Sequence, residues 1–409
     1  MTDDAPTIDP STDAVLTAPP ADALREAVRL GHDLAVARLS FEPVATDRRM
    51  RALRALIVAS DAVDSLLITN LDNIRALTGF TGSAARLLVG EEQAWLVTDA
   101  RYEERAADEL RAAACDAEIV IRRSLAEQNA WLVDEVFAQS ISRLGLESGS
   151  VTWAAQRQLA ALVTEMSTEL VPTNNVIERL RRTKSPAEVT RTARASAIAD
   201  RALSAVLPLL TESPTEQAFQ RALDGAMLAH GADAISFDTI IASGPNSSRP
   251  HHEPGNRVIV EGDAVICDFG ALIDGYHSDM TRTVFVGEPS KAQMRHFDAV
   301  RRAHDKAAAA ITPGIACSEL HAIAQAACDD AGWGEFFTHG LGHGTGLVIH
   351  ELPWLGPTSV NAIADGDLVT IEPGIYLPGS GGVRIEDLYV VAANGPIALT
   401  RAPVDLVVG

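Results

Sequence analysis

An α+β architecture is predicted for this chain: a pseudo-symmetric α+β domain over residues 179–409, an N-terminal α/β domain over 21–178, and an acidic, disordered tail over 1–20. Three observations predict it. First, GDAVICDFG (262–270) and GDLVTIEPG (366–374) share the pattern G-D-x-V-x-x-acid-x-G. Second, each stands in the same ordered series: two helical segments, a His-acid segment, the shared strand, then another acidic strand, as expected of an internal duplication. Third, upstream of about 178–185 short apolar strands alternate with alanine-rich helical stretches, the pattern of an α/β domain.

The elements follow in order. Residues 1–20 hold four Asp and four Pro with no Lys or Arg, a composition that buries too little apolar surface to fold. Apolar and charged residues mix at helical spacing from Asp22 to about Ser60. SLLIT (65–69) reads as a buried strand, TGFTGSAA (78–85) as a Gly-punctuated turn, and RLLVG with QAWLVTD as a hairpin. Helical stretches follow at 103–114 and 126–139, with short strands at RLGLE and ELVPT. Ile177 to Lys184 reads as a basic connector. SPAE (185–188) then opens a helix with a capping-box pattern, repeated as SPTE at 213–216 and SKAQ at 290–293. Helices are predicted over 186–208 and 214–230 in the first half, and over 290–311 and 317–332 in the second. PHHEP (250–254) and IHELP (349–353) are the His-acid segments; HSDMTRTVFV and VRIEDLYVV are the second acidic strands.

Composition narrows the function. The chain has 409 residues, 47% hydrophobic, enough for a large core. Its formal charge of −21, from 34 basic and 55 acidic residues, repels phosphate backbones, so nucleic acid is not an expected partner. No apolar run approaches the roughly 18 residues of a membrane span. MTDDAPTIDP lacks the basic start and apolar stretch of a signal peptide, so a cytoplasmic location is expected. Cys115, Cys267, Cys317 and Cys328 form no CxxC pair and read as reduced packing residues. There is no GxSxG elbow, Walker A loop or Rossmann glycine fingerprint.

The acids carry the chemistry. Asp268 lies in an apolar strand, as does its repeat twin Glu372, and Asp279 and Glu386 lie in the strands that follow each twin. Buried carboxylates need a positive partner. Arg282 and Arg384 are the only basic residues nearby, so metal ions are the better reading. Histidine ligands suit a transition metal, and HGLGHGTGLVIHELP offers His339, His343 and His350. A lone Asp at a strand end is commonly a turn or cap residue. Four repeat-related acids with a Gly-rich His segment are not explained that way. His277 reads as a solvated turn residue, and Cys267, next to Asp268, points to the opposite strand face.

VICDFGALIDGYHSDMTRT, GLGHGTGLVIHELP, TIEPGIYLPG and GGVRIEDLYVV resemble the pita-bread metallopeptidases, which include aminopeptidase P, prolidase and methionine aminopeptidase, with creatinase as a metal-free relative. NLDNIRALTGFTGSAARLLV resembles the creatinase-type N-terminal domain. The resemblance implies that Asp268, Asp279, His343, Glu372 and Glu386 hold two divalent ions, with Asp279 and Glu386 as bridges, Asp268 completing one site and His343 with Glu372 the other. Manganese is the expected metal, with cobalt or zinc possible. Ligand-competent residues at all five positions argue against the creatinase branch. The ions would activate a hydroxide and polarise the scissile carbonyl.

The resemblance makes His251 and His350 the non-ligand catalytic histidines, and counts Glu372 as catalytic as well as a ligand. His252 competes with His251 for its role. His339 and Arg384 are candidates for substrate contact, or for holding the Gly-rich loop and a ligand carboxylate. The implied reaction is hydrolysis of the N-terminal Xaa-Pro bond of short peptides by an Xaa-Pro aminopeptidase. The alternatives are an Xaa-Pro dipeptidase (prolidase), or a non-catalytic binding protein of the same fold. Short peptides with proline in second position are the expected partners, and a homodimer or higher homo-oligomer the expected assembly.

Overall fold

The computed structural model describes residues 16–34, 41–164 and 166–409. The acidic tail expected over 1–20 lies, up to residue 15, outside the described residues. Helix α1 (Ala21–Leu34) comes first, and the described chain forms two compact units with a division at Arg181/Arg182.

The N-terminal unit runs through α2 (Asp47–Val58), β1 (Ser65–Ile68), α3 (Leu71–Thr78), the hairpin β2 (Ala85–Val89) and β3 (Ala94–Thr98), α4 (Glu103–Ala112), β4 (Glu118–Ile121), α5 (Leu125–Ala138), β5 (Arg143–Glu147), α6 (Trp153–Val163), β6 (Glu169–Thr173) and α7 (Val176–Arg182). Its strands form one mixed sheet in the order β4-β3-β2-β1-β5-β6. Alternation sends Leu66, Ile68, Leu87 and Leu96 to one face and Leu67, Leu88, Trp95 and Val97 to the other. Helices cover both faces, so the strands read as continuous apolar runs. The segment expected to be a connector is α7, because Val176, Ile177 and Leu180 complete the first of these cores.

The C-terminal unit contains α8 (Pro186–Val206), α9 (Glu216–Ala229), β7 (Ala234–Ile235), β8 (Ile240–Ser243), β9 (Ala264–Phe269), β10 (Ala271–Ile273), β11 (Tyr276–His277) and β12 (Met280–Val286) in its first half. The second half holds α10 (Lys291–Ala310), α11 (Cys317–Asp330), β13 (Gly342–Gly344), β14 (Glu351–Leu355), β15 (Leu368–Ile371), the hairpin β16 (Gly374–Leu377) and β17 (Gly381–Arg384), β18 (Asp387–Ala392), β19 (Gly395–Ala398) and β20 (Leu406–Val408). Two sheets, β20-β12-β9-β8 and β14-β13-β15-β18-β19, carry the repeat. In the first, β9 pairs antiparallel with β12, placing Asp268 opposite Thr281. In the second, β15 pairs antiparallel with β18, placing Ile371 opposite Asp387. Each sheet has its helix pair: α8 and α9 pack on β9 and β12, and α10 and α11 pack on β15 and β18. The halves join at Thr281, whose carbonyl accepts from the Glu386 N–H at 3.1 Å.

Two expectations shift. Helix α1 groups with the C-terminal unit, although the sequence reading put residues from 21 in the N-terminal domain. Its apolar stripe Leu24, Ala27 and Val28 packs on Val189 and Ala193 of α8, and a Cβ on Gly31 would lie 2.6 Å from the Ala193 Cβ. That complementarity is long-range and leaves no local sequence signal. Helix caps form at Ser185 with Glu188 and at Ser290 with Gln293, but α9 is capped by Thr215, not Ser213. Ser213 adopts a left-handed φ of 54°, and the Glu216 carboxylate is used elsewhere. Among the described residues no helix is long and apolar enough to cross a membrane.

Candidate active site

A cavity of about 380 Å³ opens in the C-terminal unit, lined by His251, Asp268, Asp279, His339, His343, His350, Glu372, Arg384 and Glu386, the site residues named from sequence apart from the competing His252. The duplication explains the convergence. Asp279 immediately precedes β12 and Glu386 immediately precedes β18; Asp268 sits near the end of β9 and Glu372 just after β15. Paired strands thus deliver one acid each, twice, to the same edge.

Asp279, His343 and Glu386 place one ligand atom each within 4.8 Å of one another, and all three are buried. His343 Nδ1 donates to the Gly344 carbonyl at 2.9 Å. With that proton fixed, Nε2 faces Asp279 Oδ2 and Glu372 Oε1, each 3.5 Å away, and its lone pair becomes available to a cation when Nε2 gives up its proton. Close passage of backbone makes this possible. A Cβ on Gly342 would lie 2.2 Å from the Thr370 carbonyl oxygen, and one on Gly344 2.1 Å from that of Leu352.

The electrostatics call for cations. Burial pushes the Asp279 carboxyl up to about 6 and that of Glu372 up to about 7. Glu386 is driven well above the carboxylate range by burial and then by the charge of Asp279. Burial opposes protonation of His343, but its hydrogen bond to Asp279 and the charge of Glu372 outweigh it, raising its pKa to about 9. Asp268 Oδ1 is buried with no hydrogen-bond partner. A cluster of buried carboxylates, an imidazole lone pair and an orphaned carboxylate oxygen fits hard-to-borderline divalent ions.

The surrounding residues divide by their partners. Arg384 Nη2 donates to Asp268 Oδ2 at 2.5 Å, Nη1 to Tyr376 Oη at 2.8 Å and to the Pro250 carbonyl at 3.3 Å, and Nε to Thr281 Oγ1 at 3.0 Å. Its guanidinium therefore serves a ligand carboxylate more than a substrate. His339 has both ring nitrogens engaged, Nδ1 donating to Gly340 O at 2.8 Å and Nε2 accepting from Tyr376 Oη at 3.0 Å. Burial, with the charge of Arg384, lowers its pKa to about 4. His251 and His350 are exposed in the cavity, and the His350 ring stands 4.4 Å from that of His343. His252 instead meets Glu216 at 2.8 Å. His277 bonds Ser236 at 2.9 Å, and Cys267 is fully buried in the α8–α9 core.

Sequence reasoning missed Tyr376, which links Arg384 to His339, and the apolar wall of Phe237, Ile240, Ile349 and Trp354. A tyrosine within the Gly-rich stretch TIEPGIYLPG was the available signal for the first. Nothing local marks the wall.

Comparison with known proteins gives the family. Residues 190–393 match the model of metallopeptidase family M24, and residues 49–183 match the creatinase/prolidase N-terminal domain. The Xaa-Pro dipeptidase of Pyrococcus horikoshii is 33% identical over 351 residues, covering 85% of this chain and 95% of that protein. Among solved structures, the Xaa-Pro dipeptidase from Bacillus anthracis superposes with a TM-score of 0.83 at 34% identity, covering 88% of this chain and 99% of that one. The X-Pro aminopeptidase from Thermotoga maritima gives 0.77 at 30% identity, covering 85% and 98%. With a duplicated acid-bearing sheet pair, a creatinase-type domain before it and relatives matched along nearly their whole length, this chain belongs to the pita-bread metallopeptidases of the prolidase and aminopeptidase P family.

Proposed function

We propose that the chain hydrolyses the bond between an N-terminal residue and a following proline, acting as an Xaa-Pro dipeptidase. The observation that carries this reading is the stronger likeness to an Xaa-Pro dipeptidase, 34% identical with a TM-score of 0.83, than to the X-Pro aminopeptidase of Thermotoga maritima, 30% identical with a TM-score of 0.77. It moves the choice away from the aminopeptidase that the sequence alone favoured.

Asp268, Asp279, His343, Glu372 and Glu386 would hold two divalent ions, manganese being the first to test. Bound there, such ions supply Lewis acidity toward a carbonyl oxygen and lower the pKa of water. The protein's own groups do the rest. Glu372 takes the proton of the attacking water on a carboxylate oxygen and returns it to the proline nitrogen as the bond breaks. His251 and His350 hydrogen-bond the substrate carbonyl and the charge that develops on it. Arg384 holds Asp268 in place through Nη2. Phe237, Ile240, Ile349 and Trp354 shelter the apolar parts of the peptide from water.

One observation favours an aminopeptidase as the second reading. Among the described residues lining the cavity, Arg384 is the one Arg or Lys, and four of its five N–H donors go to Asp268, Tyr376, Thr281 and Pro250. A dipeptide brings a free carboxylate into this space, whereas a longer peptide does not. Initial rates with added manganese on Ala-Pro, Ala-Pro amide, Ala-Pro-Ala and Ala-Ala separate the readings. Fastest turnover of Ala-Pro supports the dipeptidase; preference for the amide and tripeptide supports the aminopeptidase. Retained metal with no turnover of any of them supports the non-catalytic binding protein.

A further inference from the structure

Each of the two exposed cavity histidines, His251 and His350, is followed in sequence by a residue tied to a buried ionic group. After His350 comes Glu351, whose Oε1 accepts from Lys184 Nζ at 2.6 Å, with side chains only 6% and 2% exposed. After His251 comes His252, whose Nε2 donates to Glu216 Oε2 at 2.8 Å, and the Glu216 side chain is 0% exposed.

The two anchors each lie beside the start of a helix. Lys184 directly precedes Ser185, the cap of α8, and Glu216 directly follows Thr215, the cap of α9. Neither is among the residues lining the cavity.

The chain wraps both anchors closely. Glu216 also accepts from Ser243 N at 2.8 Å, Ser243 Oγ at 2.7 Å, Asn246 Nδ2 at 3.0 Å and Gly255 N at 3.2 Å. It thereby grips both ends of the loop that carries His251. On the other side, a Cβ on Gly346 would lie 2.6 Å from Glu351 Oε1 and 2.9 Å from Lys184 Cε, so the turn leading to His350 passes directly over the pair. A buried ion pair adds little stability over an apolar pair of the same volume. What it adds is direction, because charged hydrogen bonds fix the geometry of the residues that make them.

We propose that Lys184 and Glu216 are positioning residues that hold His350 and His251 in the cavity, one beside the start of each helix of the first half. The proposal rests on the reading that these two histidines act on substrate. Removing Lys184 alone strands a carboxylate, so the decisive variant is the neutral pair Lys184→Met with Glu351→Met. Its melting temperature should stay within about 3 °C of wild type, while kcat for the preferred Xaa-Pro peptide falls on the order of 10²-fold with KM little changed, as expected of a misplaced group. Installed in His350→Ala, the pair should cause no further loss. Hydrogen-exchange mass spectrometry should show faster exchange at 347–352. Glu216→Gln should do the same at 249–253, with a kcat loss that does not add to that of His251→Ala. Wild-type kcat in the neutral pair, or an equal further loss in the His350→Ala background, overturns the proposal. If the wild-type protein cleaves none of the peptides, the functional reading fails and exchange alone decides: faster exchange at these segments keeps the anchoring, and unchanged exchange removes it.

Discussion

Replacing Glu386 by Gln should stabilise the ion-free protein and abolish its response to divalent metal. Glu386 is 2% exposed, and its Oε2 accepts from Thr281 Oγ1 at 2.8 Å, a bond that the amide oxygen of Gln retains. Burial and the charge of Asp279 hold its carboxyl well above the ordinary range. A group whose folded pKa is raised contributes stability at low pH that is lost as pH rises. Near pH 8, where a glutamate in the unfolded chain is ionised, the buried carboxyl therefore works against the fold unless a cation joins it. Gln removes that cost, which predicts a gain of about 1 kcal/mol, at the low end of what relieving buried charge yields. For a unit of this size that is about 2–4 °C in Tm.

The wild-type protein should behave oppositely. Metal at a hundredfold excess over Kd stabilises by about 2.7 kcal/mol, or roughly 5–10 °C. Thermal melts at pH 8 with chelator and with manganese, elemental analysis and peptide turnover on one preparation make the assay. A Gln variant less stable than wild type in chelator, or one that retains two ions per chain, would refute the assignment of Glu386 as a shared ligand.

His350→Ala and His251→Ala should each keep the metal and the fold while kcat falls about 10²–10⁴-fold; near-wild-type turnover would make the residue a loop histidine. Arg384→Met leaves the Asp268 carboxylate without its charged partner, and chemical denaturation in chelator should show a loss of about 3–5 kcal/mol, partly restored by manganese. Gly342→Ala drives a Cβ onto the Thr370 carbonyl; a destabilisation of about 1–3 kcal/mol with weakened metal binding is expected, and unchanged metal affinity would show that His343 tolerates displacement. Manganese affinity, measured by titration, should fall as pH drops through about 9, 7 and 6, where His343, Glu372 and Asp279 in turn take up protons that compete with the ion. A flat affinity across that range would contradict the burial of these carboxylates.

The metal-ligand candidates and the duplicated frame were legible in the sequence because each is written locally. A carboxylate inside an apolar strand, a glycine-rich histidine segment and two helical periods recur in the same order, so repetition raised every weak signal above chance. Caps at Ser185 and Ser290 were legible for the same reason, since the groups they satisfy lie within one helical turn. Long-range complementarity was not written there. Only the folded chain assigns α1 to the C-terminal unit, through Leu24, Ala27 and Val28 against α8. Only packing makes α7 a helix, since its apolar residues need the strands of the N-terminal unit to bury against. The choice between His251 and His252 illustrates the difference most directly. Both are histidines in one loop, and no local rule separates them. The fold does so by burying Glu216 beneath that loop, where its carboxylate takes His252 and leaves His251 to the cavity.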